Sequence, residues 1–168
     1  TGDGVEVVLE AIARFVPSPK GKEAGPVRAL VFDSFYDSYR GVIAYVRIVD
    51  GAVKNNQPIH LIQADVSGEA LEVGAIRLGL KKEEELGVGQ IGYIVTSFKN
   101  LSAVRVGETI TKLKSKNEKL KINESPNPLP GYKEPQPMVF ASFFPASSQS
   151  EEELREALYK LKLNTLSK

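Results

Sequence analysis

LVFDSFYDSYRGVIAYVRIVDG, residues 30–51, carries the pattern that sets the fold. Within 41–49, Val42, Ala44, Val46 and Ile48 alternate with Ile43, Tyr45, Arg47 and Val49. A period of two is the signature of a strand, because successive side chains leave a pleated backbone on opposite faces. The first set is uniformly apolar and belongs inside. The second is mixed and faces a neighbour or a partner. Asp50-Gly51 closes the run with a pair typical of hairpin turns.

Working outward, residues 27–33 read as the preceding strand and 58–64 as the following one. Ser67-Gly68 reads as a turn into a strand over 70–80, and 89–98 and 108–113 follow. Gly74 and Gly79 fall within or beside a strand and leave its limits open. At least six strands at roughly regular spacing, with almost no helical pattern between them, predict a mainly β fold: an antiparallel barrel, closed or nearly so, over 25–114.

The flanks differ in kind. Residues 1–24 read as a helix and a linker. Val5, Val8, Leu9, Ile12 and Val16 make one apolar face, Asp3 and Glu6 have capping-box spacing, and Pro17 and Pro19 end the helix. Such a short helix is marginal alone, so its apolar face calls for a partner, expected upstream of residue 1. Residues 115–137 hold lysines and then Pro126, Pro128, Pro130, Pro135 and Pro137, which predicts a stiff extended linker. Residues 138–144 (MVFASFF) read as a strand. A helix follows, with Ser150 as cap, Glu153 three later, Leu154, Leu158 and Leu161 as its buried stripe, and Lys160 and Lys162 near its end. One strand and one helix, 138–168, are the beginning of a domain. With no initiator Met, the chain reads as a stretch of something longer.

Composition excludes several classes of function. The 168 residues are 42% hydrophobic and 26% charged, with a net charge of +1, so any nucleic-acid surface must be a local patch. There is no cysteine, which removes disulfides, thiolate nucleophiles and Cys-based zinc sites. No apolar run is long enough for a membrane-spanning helix, and the first residues do not form a signal peptide.

Catalytic constellations are absent from the sequence. Gly21-Lys22 is followed by Glu23, so there is no P-loop, and no Asn-Lys-x-Asp guanine reader exists. Asp65-Val66-Ser67-Gly68 matches a magnesium and γ-phosphate element by letters alone and reads better as a turn. His60, the only histidine, sits between Ile59 and Leu61 and reads as a satisfied strand residue. Glu83-Glu84-Glu85 reads as a solvated loop. The densest unusual segment is DSFYDSYRG, 33–41, read as a loop. Its aromatic and guanidinium groups suit nucleotide stacking or phosphate binding. The structural alternative has Phe35 and Tyr36 plugging the end of the barrel while Asp33 and Asp37 hold the turn. The lysines of 112–121 read either as solvated linker or as an RNA contact.

The same segment carries a resemblance. Residues 30–51 are similar to the start of the second domain of LepA (elongation factor 4) family translational GTPases. LGVGQIGYI (86–94), AVRVGETIT (103–111) and LPGYKEPQPMVFASFFP (129–145) resemble later motifs of that family, and TGDGVEVVLEAIARFVPSPKG (1–21) resembles the last helix of its GTPase domain. The chain departs from the family turn at Lys54-Asn55-Asn56-Gln57. The resemblance implies a translation-factor domain II barrel between the end of a GTPase domain and an incomplete α+β, ferredoxin-like piece of domain III. It implies a non-catalytic, ribosome-contacting segment of a cytoplasmic GTPase acting in protein synthesis. The expected partners are small-subunit ribosomal RNA and the remaining domains of the parent. Peripheral association with the cytoplasmic face of the inner membrane stays open for the parent family. GTP and Mg belong to the parent, with no cofactor in this segment. Candidate ribosome or RNA contacts are Tyr36, Tyr39, Arg40, Gly41, Arg47, Lys114 and Lys116. Two other readings compete: a free-standing RNA-binding β-barrel and a small barrel enzyme.

Overall fold

Alternating apolar residues can bury one face of a sheet only if the sheet meets another layer or itself. Here it meets itself. The computed structural model describes residues 2–98, 103–113, 126–131, 138–145 and 151–165. Helix α1 (Val5–Phe15) precedes strands β1 (Arg28–Asp37), β2 (Gly41–Asp50), β3 (Val53–Lys54), β4 (Gln57–Leu61), β5 (Val66–Ile76), β6 (Leu80–Glu83), β7 (Glu85–Leu86), β8 (Ile91–Thr96) and β9 (Thr109–Lys112), and helix α2 (Glu151–Thr165) follows. The main sheet runs β4-β9-β1-β2-β8-β5, and a further β4–β5 pairing closes it into a six-stranded antiparallel barrel. Strand β6 takes the edge of β5 from Val73 to Ile76, beyond where β4 leaves it at Ala70. β3 and β7 form a separate small ribbon.

The two faces of β2 behave as the alternation requires. Val42, Ala44, Val46 and Ile48 all enter the barrel core with Val31, Ile59, Leu61, Val73, Ile94 and Ile110. Full burial of side chains of this size stabilises by about 1.5–3 kcal/mol each. On the outer face, Ile43 packs with Tyr93 and Val95 under Phe35, Tyr45 and Leu80. Arg47 is exposed. The doubtful Gly74 lies inside β5 because a side chain there has no room: a Cβ would sit 2.3 Å from the Lys81 carbonyl oxygen and 2.5 Å from the Tyr93 ring. Gly79 falls in the turn between β5 and β6.

Both linkers touch the barrel. The Lys22 amide donates to Asp50 Oδ1 at 2.8 Å and Arg28 Nε to Asp50 Oδ2 at 2.6 Å, while the Gly51 amide returns a bond to the Lys22 carbonyl at 2.9 Å. Farther on, the Leu129 amide donates to Thr109 Oγ1 at 2.9 Å. These contacts turn residues 17–26 and 126–131 from free tethers into straps.

Several sequence expectations change. Most of segment 33–41 is strand rather than loop: β1 continues to Asp37, leaving only Ser38, Tyr39 and Arg40 between the strands. Aromatic residues favour a pleated surface, and β2 offers them a paired edge. Asp50-Gly51 is a turn but not a hairpin, since β2 pairs with β1 and β8 whereas β3 pairs with β7. Ser67-Gly68 belongs to the β4–β5 ladder, opposite His60 and Ile59; the turn lies earlier, with Asp65 at φ 53. Glu108 holds that turn, accepting from the Gln63 amide at 2.8 Å and the Ala64 amide at 3.1 Å. Burial nevertheless raises the Glu108 carboxyl above its ordinary value, against the pull of those amides. Helix α1 is capped by Gly4 and not by the Asp3 side chain. Residues 138–144 form no strand and pair with none of the described strands. The Ser150 cap lies outside the described residues. Leu158 and Leu161 of α2 stay exposed, although the helix meets β1 and residues 143–145.

Candidate functional site

The turn between β1 and β2 is built by Asp37. Its Oδ1 accepts the amides of both Tyr39 and Arg40, each at 2.8 Å. A short acidic side chain bonding two and three residues ahead is the usual way to fix a tight turn. The Arg40 amide, then the Tyr39 amide, and the Arg40 charge hold the Asp37 carboxyl below its ordinary value. Gly41 follows at φ 82, a conformation that costs glycine little and other residues more. This rigid platform presents Tyr39 at 97% exposure, with the half-exposed Arg40 beside it.

Arg40 reaches across the outer face of the sheet. Its guanidinium lies 3.7 Å from Glu72 Oε1 on β5, and Lys82 on β6 lies 3.8 Å from Glu72 Oε2. The buried Tyr93 hydroxyl donates to the same Glu72 Oε1 at 2.7 Å. Burial first, and the Glu72 carboxylate second, push the Tyr93 hydroxyl up to about 12, against the opposing Arg40 charge. Arg40, Glu72, Tyr93 and Lys82 thus form one charged cluster beside the exposed Tyr39.

The expected contact residues do not all converge there. Tyr39, Arg40 and Gly41 share the turn. Tyr36 points to the barrel end, packs on the core, and carries Lys160 of α2 4.8 Å above its ring. Arg47 sits on the outer face six residues along β2 from Gly41, roughly 20 Å by strand rise. Lys114 and Lys116 lie outside the described residues. Glu72, Tyr93 and Lys82 escape sequence reading, because only the β2–β8–β5–β6 register brings them to Arg40. Phe35 packs outside the barrel with Tyr45, ring centroids 5.4 Å apart, so it does not plug its end. Asp33 accepts the neighbouring Ser34 amide, and the turn rests on Asp37 alone of the two aspartates.

His60 is a satisfied strand residue. It is buried, with Nδ1 3.0 Å from Ser67 Oγ and Nε2 3.5 Å from the exposed Asp65. Burial lowers its pKa and the Asp65 charge only partly offsets that. Among the described residues, no group of three His, Cys, Asp or Glu could hold a metal ion, and no helix is long and apolar enough to cross a membrane.

Residues 41–111, most of this closed six-stranded barrel, match the family Elongation factor Tu domain 2, the second-domain barrel of a translation factor. The similarity extends well past the barrel. Elongation factor 4 of Halalkalibacterium halodurans is 44% identical over 166 residues, 99% of this chain and 26% of that protein. Elongation factor 4 of Clostridium acetobutylicum is 44% identical over 98% of this chain and 26% of that protein, and that of Thermobifida fusca is 43% identical over 98% and 25%. The chain belongs to the elongation factor 4 family and spans about a quarter of the length of these relatives.

Proposed function

We propose that the chain is the ribosome-contacting barrel segment of an elongation factor 4, itself non-catalytic, and that the β1–β2 turn carries the contact. The observation behind this reading is the pairing of a fully exposed Tyr39 with a half-exposed Arg40 on a turn fixed by Asp37. A guanidinium binds phosphate oxygens through a planar fork, and an exposed aromatic ring stacks on an unpaired base or a ribose. The partner is small-subunit ribosomal RNA in the cytoplasm. Binding and hydrolysis of GTP, with its Mg, reside in parts of the longer protein whose motifs this sequence lacks. The barrel relays their state as a rigid body, since a closed, fully packed sheet deforms little.

The test is equilibrium binding of the labelled chain to purified small ribosomal subunits over a salt series. Arg40→Ala is expected to weaken binding roughly five- to tenfold and to reduce the salt slope by about one, as loss of one phosphate contact does. Equal affinity and slope for the two proteins would remove the reading.

A free-standing RNA-binding barrel is the second reading, favoured by the half-exposed aromatic group Phe32, Phe35 and Tyr45 on the outer face. It predicts tight, sequence-selective binding of short single-stranded RNA. The ribosome reading predicts none.

A further inference from the structure

The Arg40 cluster holds a carboxylate where a phosphate-binding surface would gain from having none. Glu72 divides its oxygens between two cations: Arg40 faces Oε1 at 3.7 Å and Lys82 faces Oε2 at 3.8 Å. Neither distance is that of a tight charge-assisted hydrogen bond, which would be about 2.7–2.9 Å. Both cations keep about half or more of their side-chain surface in water, Arg40 at 48% and Lys82 at 64%. Exposed pairs of this kind hold weakly and are broken at little cost. Glu72 itself is better fixed, because the buried Tyr93 hydroxyl donates to it at 2.7 Å. Tyr93 is in turn fixed by the absence of a side chain at Gly74, over which its ring lies. The anion is therefore anchored and the cations are loosely attached to it.

Resting on the reading of Arg40 as an RNA contact, we propose that Glu72 is a built-in phosphate mimic. It occupies Arg40 and Lys82 in the unbound protein, and an RNA phosphate displaces it on docking. The device has two consequences. The two side chains are held on the outer face in the orientation that a phosphate between them requires. The affinity is also kept low, because every docking event breaks two ion pairs and brings a phosphate near a fixed negative charge. A factor that must leave the ribosome after each engagement gains speed of release from such a competitor.

Glu72→Gln isolates the claim, because the amide oxygen still accepts from Tyr93 while the charge is gone. With the full chain and purified small subunits, Glu72→Gln is expected to bind two- to tenfold more tightly than the parent and with a steeper salt dependence. Glu72→Asp, which withdraws the charge by one methylene, falls between the two. Arg40→Ala/Glu72→Gln loses most of the gain, since only Lys82 is left to profit. Loss of the turn or of the Tyr93 contact weakens docking, so tightening with an unchanged urea midpoint is the diagnostic. If Arg40→Ala weakens docking while Glu72→Gln and Glu72→Asp both leave it unchanged or weaken it, the mimic is overturned and the ribosome contact stands. If Arg40→Ala has no effect, the contact itself fails and the mimic with it.

Discussion

Strand β2 and helix α1 are built from the same kinds of residue and meet opposite fates. Val42, Ala44, Val46 and Ile48 are at most 1% exposed, whereas Val5, Val8, Leu9 and Ile12 are all more than half exposed. The same contrast recurs at the other end of the chain, where Met138, Val139, Phe140 and Phe144 stand at 83–91% exposure. Apolar character sets the drive for burial, and burial occurs only where a surface exists to receive it. The barrel provides its own, because closure makes each strand's inner face the partner of the others. Helix α1 and residues 138–144 stay largely exposed, the latter meeting only one side of α2 at Phe143 and Phe144 among the described residues.

That contrast can be broken by substitution, beginning where the largest effect is expected. Ile48→Ala should cost about 2–5 kcal/mol, read from the urea midpoint, because the fully buried side chain leaves a cavity in a packed core. A loss under about 1 kcal/mol would mean that the core is not packed as described. Gly74→Ala should cost about 1–3 kcal/mol by overpacking, since the new methyl meets the Lys81 backbone and the Tyr93 ring. A neutral result would show β6 free to move off β5.

Asp50→Asn sharpens the boundary between barrel and strap, at about 1–2 kcal/mol. The Lys22 amide and the Arg28 side chain hold the Asp50 carboxyl below its ordinary value of 3.8. A lowered folded value means that the unfolded chain takes up the proton first. The stabilisation is thus complete above about pH 5 and is lost as pH falls through the folded value. Asp50→Asn should remove that acid-dependent part of the stability profile, and an unchanged acid limb would refute the clamp. The smallest effect belongs to α1: Leu9→Ser should stay within about 0.5 kcal/mol of the parent chain. A cost of about 2 kcal/mol there would reveal a partner for the helix within the chain.

How far the sequence could be read depends on how local the signal is. The barrel was legible because β2 announces its own two faces without reference to any other strand. The orientation of Tyr36 was not. A register shift between Val31 and Asp33 inserts Phe32 as an extra residue and reverses the parity of the rest of β1, so that Ser34 and Tyr36 turn inward. Ser34 then donates to the Val104 carbonyl at 2.9 Å inside the barrel. Strict alternation from Val31 would have turned Phe35 inward instead. The Arg40 cluster was half legible. Asp37, Tyr39 and Arg40 are neighbours in sequence, but Glu72 arrives only through the β5–β8 register, itself shifted between Ala70 and Glu72. The strand expected at 138–144 is absent for the complementary reason: composition marks a segment able to pair but does not say which strand it pairs with.

Native-state amide hydrogen exchange on the 168-residue chain tests the central contrast most directly. The amides of β2 and β8 should exchange slowest, opening only with global unfolding, while those of α1 and of residues 138–145 exchange orders of magnitude faster. Equal protection across all of these segments would show that the flanks share the stability of the barrel, and the account of a self-sufficient closed sheet between two unpartnered segments would be wrong.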